Sequence, residues 1–342
     1  MELISIDLFS GIGGLSHGLK NAGFTTTHAI ELDKLASRVY KRNHKTTTVI
    51  SEDIRKVNVQ KIKEDIGDKP IHLLAGCPPC QGFSSIRRLN RPTPVEDERN
   101  SLIWEFVRFV KIFKPYTFMM ENVPGLALDE SFSEAIKELE EAGYFPPDWK
   151  VVNVKDYGVP QSRNRLVLVG SMLAPIKVAE ATGVSKSVKK AIGRLKCPEE
   201  SKDKVHKIFP KHTERIFQLI KDIPLDGGSR KDLGKKRQLK CHQNENVGFH
   251  DVYGRLSWDK PSTTITGGCL NPSKGRFLHP EQNRCISARE ASMLQSFPRN
   301  YKLPHDIPKT KLALMIGNAL PPAFSEAQSK HIKEHITKNL TA

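Results

Sequence analysis

Seven short runs of apolar and β-branched residues, separated by stretches with helical spacing, fill the first ~170 residues and constrain the fold more than any other feature. The runs are Leu3 to Phe9, Thr25 to Ile30, Thr46 to Ile50, Ile71 to Ala75, Thr117 to Glu121, Val151 to Val154 and Leu166 to Val169. Between them, Gly14 to Asn21 reads as a helix closed by Gly23, and Ser133 to Ala142 as one closed by Gly143. Ser101 to Phe113 sets Ile103, Phe106, Val107 and Val110 on one helical face. Strands alternating with helices specify an α/β, Rossmann-like doubly wound sheet, mainly parallel. Such sheets bind ligands at the carboxyl ends of their strands, so chemistry is expected where these runs stop.

Four motifs stand at those ends. Asp7-Leu8-Phe9-Ser10-Gly11-Ile12-Gly13-Gly14-Leu15 runs a strand into glycines that open a helix, which lets a ligand approach the backbone closely. Glu31 ends the next strand 20 residues after Gly11, where a carboxylate can accept from ribose hydroxyls; Asp53 follows the third strand, where it could accept from an adenine amino group. A dinucleotide shares that spacing, but Ser16 stands where its third glycine belongs. An adenosine-containing cofactor fits better.

The second motif is Gly76-Cys77-Pro78-Pro79-Cys80-Gln81-Gly82-Phe83-Ser84. Zinc would need a second pair of ligands that the chain lacks, so no metal is expected. A redox Cys77/Cys80 pair, a plain structural turn and a nucleophilic cysteine held by two prolines remain open readings. The third motif is Met120-Glu121-Asn122-Val123-Pro124-Gly125 and the fourth Gln161-Ser162-Arg163-Asn164-Arg165, in which the two arginines would point the same way from a strand. Cys80, Glu121 and Arg163 lie 41 and 42 residues apart, each interval room for one strand–helix crossover.

Charge suggests the partner. The chain carries 54 Lys and Arg against 38 Asp and Glu, a formal net charge of +16. Residues 171–250 hold 18 of the basic residues against nine acidic ones, with weak periodicity and basic Gly-punctuated loops at 225–231 and 234–237. That favours a polyanion, although a merely solvated lysine-rich surface has the same composition. The 342 residues allow roughly two domains. No run approaches the ~18 apolar residues of a membrane span, and Met1 to Asp7 reads as a first strand, not a signal peptide. Six scattered cysteines suit a reducing, cytoplasmic setting.

In this order, the motifs resemble those of the DNA cytosine-5 methyltransferases over nearly the whole chain. The resemblance rests on Phe9 to Gly14, Pro78-Pro79-Cys80-Gln81, Glu121-Asn122-Val123 and Gln161-x-Arg163-x-Arg165. Arg255-Leu256 with Pro261 to Thr266, Arg289-Glu290 with Leu294 to Pro298, and Gly317-Asn318-Ala319-Leu320-Pro321-Pro322 continue it. It implies a mixed-sheet methyltransferase fold with a smaller basic target-recognition domain. The catalytic domain would comprise 1–171 and 312–342, and the recognition domain 172–311.

The resemblance also implies S-adenosylmethionine as cofactor, held by Phe9, Gly11, Ile12, Gly13, Gly14, Glu31, Asp53, Ile54, Pro79, Leu102 and Asn318. Leu102 is matched through Asp97-x-Arg99-x-x-Leu102. Cys80 would attack C6 of a flipped-out cytosine, Glu121 would serve N3, and Arg165, supported by Arg163, would donate to O2. Double-stranded DNA is the implied partner. Its contacts are expected from Gln81, Ser84, Ser85, Arg87, Arg88 and Arg91 after the nucleophile, and from Arg230, Lys231, Lys235, Lys236 and Arg237 in the basic region. The compact chain suits a monomeric modification enzyme paired functionally with a restriction endonuclease; a stand-alone enzyme would look the same. A tRNA cytosine-5 methyltransferase would show a Cys-Phe-Thr signature late in the chain, which Cys269-Leu270 and Cys285-Ile286 do not match. A non-catalytic DNA-binding descendant is disfavoured, because all four expected catalytic residues are present.

Overall fold

A computed structural model describes residues 2–79, 102–234, 237–239 and 251–341. Cys80, Gln81, Ser84, Ser85, Arg87, Arg88, Arg91, Lys235 and Lys236, all singled out above, lie outside the described residues.

All seven expected strands form: β1 Leu3–Leu8, β2 Phe24–Ile30, β3 Thr48–Ile50, β4 Leu73–Gly76, β5 Thr117–Asn122, β6 Asp148–Asn153 and β7 Asn164–Ser171. They make one sheet in the order β3-β2-β1-β4-β5-β7-β6. β1 to β5 are parallel, while β7 runs antiparallel to both β5 and β6. The antiparallel register pairs Asn122 with Leu166, so the start of β7 lies beside the end of β5. That is how a residue upstream of a strand reaches the edge where the parallel strands finish.

Period-2 alternation divides the burden of β1 between two faces. Ile6 and Leu8 join Leu74, Phe118 and Met120 in an apolar cluster with Phe106 and Phe109 from helix Leu102–Phe113 and Phe132 and Leu139 from helix Glu130–Glu141. The intervening Ser5 and Asp7 are buried too, but bond to side chains: Ser5 to Thr26 at 3.0 Å and Asp7 to Ser16 at 2.6 Å. Helix Pro322–Leu340 returns to helix Gly14–Ala22, where Ser325 Oγ donates to the Leu15 carbonyl at 2.8 Å. Gly18 permits this approach, since a Cβ there would stand 2.5 Å from Ser325 and the Glu326 backbone.

Two compact units result. The first contains the sheet and comprises residues up to Tyr157, Asn164–Thr182 and the chain from Leu320; the second comprises Gly158–Arg163 and Gly183–Ala319. The boundary read from the sequence at residue 312 falls inside helix Lys309–Asn318, which belongs to the second unit. That unit has four helices among its described residues: Val188–Ile192, Glu214–Asp222, Ala288–Leu294 and Lys309–Asn318. Among the described residues its β pairing is confined to isolated bridges.

Candidate active site

The carboxyl edge of the sheet gathers the acidic and sulfur side chains. Glu121 ends β5 nearly buried, and Oε1 of its carboxylate accepts from Arg165 Nε at 2.6 Å. Arg165 also donates from Nη1 to the Asn164 carbonyl at 2.7 Å, which fixes the guanidinium plane. Next to β5, β4 finishes at Gly76 and hands over to Cys77-Pro78-Pro79. The Cys77 amide donates to the Leu8 carbonyl at 3.2 Å, and Asn122 Nδ2 donates to the Pro78 carbonyl at 3.0 Å. Burial, with the charges of Glu121 and Asp7, drives the pKa of the Cys77 thiol well above that of an ordinary thiol. The segment leading to Cys80 is therefore tied at two successive residues.

Arg163 does not share the direction of Arg165. β7 begins only at Asn164, so strand alternation never applies to Arg163. Its buried guanidinium donates to the carbonyls of Ile265 at 3.0 Å and Gly317 at 2.8 Å within the second unit. Gln161 bridges the same segments, donating to Gln295 at 2.7 Å and accepting from the Ile265 amide at 2.7 Å.

Three strand ends away, the glycine turn follows β1. Phe9 (φ 57°), Gly11 (φ 53°) and Gly13 (φ 88°) are all left-handed, and Gly13 caps helix Gly14–Ala22. Phe9 holds this conformation although it has a side chain, a strained backbone of the kind that persists where surrounding packing over-determines it. A Cβ on Gly11 would meet nothing within 4 Å, so the turn borders open space. Glu31 clamps it: Oε2 accepts from the Gly11 amide at 2.8 Å and Oε1 from the Asp33 amide at 2.7 Å. Burial raises the Glu31 pKa despite those two bonds. Asp53 caps the short helix Ile54–Lys56 and is gripped by the Arg55 guanidinium at 2.6 Å, which lowers its pKa to about 2.

Ile12 and Ile54 are core residues, so only their backbones can face a ligand. Pro79 is exposed, and Leu102 is half-buried at the start of its helix. Asn318 is exposed at the end of helix Lys309–Asn318 in the second unit. A group with a ribose, an adenine and a charged tail fits what these residues offer: an accessible glycine turn and two carboxylates at adjacent strand ends.

The sequence reading assigned no role to the side chains of Asp7 and Asn122. Asp7 is fully buried, and burial raises its pKa to about 8. It accepts from Ser16, whose hydroxyl also meets Tyr40 at 2.5 Å; the Tyr40 ring lies 4.5 Å from that of His44, and His44 Nε2 bonds the Gly13 carbonyl at 3.2 Å. This chain of contacts backs the glycine turn from inside. The available signal was an acidic residue at an inward position of an otherwise apolar strand.

Of the basic-region candidates, Lys231 and Arg237 are exposed, whereas Arg230 is buried with its guanidinium on Gln238 at 3.3 Å. Gly-punctuated composition suggested an open loop. Instead Ser229 and Asp232 form a capping box around Arg230–Asp232 and turn Arg230 inward. Among the described residues no group of His, Cys, Asp or Glu could hold a metal ion, and no helix is long and apolar enough to cross a membrane.

A doubly wound sheet with a glycine turn, paired strand-end carboxylates and a Glu–Arg pair defines a nucleotide-cofactor enzyme with an acidic centre. Comparison with known proteins makes this specific. The profile of the family described as C-5 cytosine-specific DNA methylase matches residues 3–334, and the chain belongs to that family. It is similar to the Type II methylase M.HgiDII of Herpetosiphon aurantiacus, with 34% identity covering 97% of this chain and 95% of that one. It is also similar to the Type II methyltransferase M1.HphI of Haemophilus parahaemolyticus, with 32% identity over 96% of this chain and 86% of that one. In fold it resembles a DNMT2 variant of Spodoptera frugiperda at TM-score 0.68 and 18% identity, covering 97% and 100% of the two chains. The protein is thus a DNA cytosine-5 methyltransferase, and such enzymes in general take their methyl group from S-adenosylmethionine.

Proposed function

We propose that this chain methylates C5 of a flipped-out cytosine in a specific double-stranded DNA sequence through a covalent bond between Cys80 and C6. The Glu121–Arg165 pair, beside the tethered segment that leads into Cys80, is the observation that carries this reading. Cytosine C5 is a poor nucleophile. Addition of the Cys80 thiolate to C6 forms an S–C bond and moves an electron pair into the ring. Glu121 stabilises that pair by donating a proton or hydrogen bond at N3, while Arg165 donates to O2. The pair at C5 forms the new bond to the methyl carbon as that carbon's bond to sulfur breaks. Loss of the C5 proton then restores the C5–C6 double bond and expels the Cys80 thiolate. A stacked base cannot reach these groups, so the target leaves the duplex.

S-adenosylmethionine supplies an electrophilic methyl group on a sulfonium. Glu31 would receive its ribose hydroxyls and Asp53 its adenine amino group, with Gly11 to Gly14 offering close backbone approach. Phe9, the backbones of Ile12 and Ile54, Pro79 and Leu102 complete the set within the sheet-bearing unit. Arg163 contributes indirectly, by holding the backbone at Ile265 and Gly317. The sheet-bearing unit is the catalytic domain; the second unit reads the target. Gln81, Ser84, Ser85, Arg87, Arg88 and Arg91, with Lys231, Lys235, Lys236 and Arg237, serve phosphates. The Type II designation of the relatives supports a modification enzyme matched to a restriction endonuclease.

Bisulfite sequencing of DNA from a methylation-deficient host expressing the chain tests this. Protected cytosines at one recurring motif, absent with Cys80→Ser, are expected. Full conversion in both strains, with soluble wild-type protein, would overturn the reading.

A further inference from the structure

We propose that His44 is a positioning residue for the cofactor: its ring Nε2 donates to the Gly13 carbonyl and so fixes the Gly13–Gly14 peptide of the glycine turn. The inference rests on reading that turn as the S-adenosylmethionine site. His44 closes helix Lys34–Asn43, where its own amide donates to the Tyr40 carbonyl at 2.9 Å. From that end the buried imidazole reaches the Gly13 carbonyl, 3.2 Å away and 31 residues earlier in the chain. A carbonyl oxygen only accepts, so the proton of this bond sits on Nε2. Burial lowers the His44 pKa to about 4, and the ring is neutral at neutral pH. The Tyr40 ring lies 4.5 Å from the imidazole, and its hydroxyl meets Ser16, which keeps the pair in place.

The Gly13 oxygen accepts twice, from His44 and from the His17 amide at 2.9 Å. Its peptide joins two glycines, where no Cβ resists rotation. In a trans peptide the next N–H points opposite the carbonyl, so a carbonyl held toward His44 turns the Gly14 amide away from it. Gly14 opens helix Gly14–Ala22, and the first amides of a helix have no partner within it. The turn is thus braced from both ends of helix Lys34–Asn43. Glu31, which also takes the amide of the N-cap Asp33, holds Gly11, and His44 holds Gly13.

Equilibrium dialysis of the full chain against tritiated S-adenosylmethionine tests the idea. His44→Phe keeps a ring beside Tyr40 and loses the donor; one lost neutral hydrogen bond sets the expected fall in affinity at about fivefold. His44→Gln, whose side-chain amide brings an N–H to a similar place, should bind within about twofold of wild type. At saturating cofactor both variants should methylate plasmid DNA from a methylation-deficient host at the wild-type kcat, which confines the effect to the cofactor KM. A packing role alone would reverse the order, with His44→Phe near wild type and His44→Gln weakened. That order, beside a weakened Glu31→Ala, overturns the inference. Wild-type affinity in both His44→Phe and Glu31→Ala overturns instead the cofactor reading beneath it. A second readout is the ring itself. In heteronuclear NMR spectra that separate the two ring nitrogens, the His44 signals, identified by their loss in His44→Gln, should show Nε2 protonated and Nδ1 not. The opposite tautomer would sink the proposal even if His44→Phe failed to fold.

Discussion

In the sheet-bearing unit the backbone satisfies itself, ladder by ladder, from β3 across to β6. In the unit around Gly183–Ala319, arginines do that work. Arg255, with no exposed surface, donates to the carbonyls of Ile220, Ile223, His279 and Gln282 and to Asn283. Arg276 donates to the carbonyls of Gly227, Gly228 and Arg255. Arg284 meets both oxygens of buried Glu290 at 2.7 Å, and Arg289 holds Asp203 at 2.6 Å and the Tyr301 carbonyl at 2.9 Å. Buried carbonyls need donors wherever the chain is irregular, and a planar guanidinium brings five. The described lysines between 177 and 231 are all exposed, as are Arg194, Arg215 and Arg237, so positive charge here has two roles, one inside the fold and one at its surface. A basic composition is therefore not by itself a measure of nucleic-acid surface.

A large expected effect tests that division. Arg255→Met should cost about 3–5 kcal/mol in urea unfolding, because several buried acceptors lose their donor together. Hydrogen exchange should quicken through 183–319 and leave β1, β4 and β5 protected. Equal deprotection of those strands would show one cooperative block and end the contrast.

Acid sensitivity should have opposite signs at two buried carboxyls. The folded pKa of Asp7, about 8, lies far above its unfolded value, so its contribution to stability is lost as pH rises from about 4 to 8. Asp7→Asn should gain on the order of 5 kcal/mol over wild type at pH 8, about four pKa units at about 1.4 kcal/mol each, and nothing near pH 4. Burial opposes ionisation of Glu290 as well, but the Arg284 hydrogen bonds and charge outweigh it and hold the pKa below normal. Its contribution is present above the unfolded carboxyl range and is lost as pH falls through the folded pKa. Glu290→Gln should therefore be destabilised at pH 7 and converge on wild type in acid. Thermal melts across pH check both, and parallel profiles would refute the assignment.

The smallest effect sharpens the surface. Lys231→Ala and Arg237→Ala should each lower the salt slope of DNA binding by about one and weaken affinity uniformly across sequences. Arg230→Ala should lower the melting temperature and leave that slope unchanged. A slope change at Arg230 would put its guanidinium on DNA.

The strands were readable because each is a short apolar run stopped by glycine or a polar residue, and the motifs stand at those stops. Arg163 misled because alternation was extended one residue before its strand began. Arg230 misled because a capping box, which depends on Ser229 and Asp232 together, looked like loose loop chemistry.

Periodicity and motif order in the sequence determined the doubly wound sheet and the glycine turn, since these depend on neighbours within one strand or turn. Only the tertiary structure decided which arginines lie inside and which carboxyl burial keeps protonated. Those outcomes follow from desolvation and from donors brought across the fold, and a linear pattern carries neither.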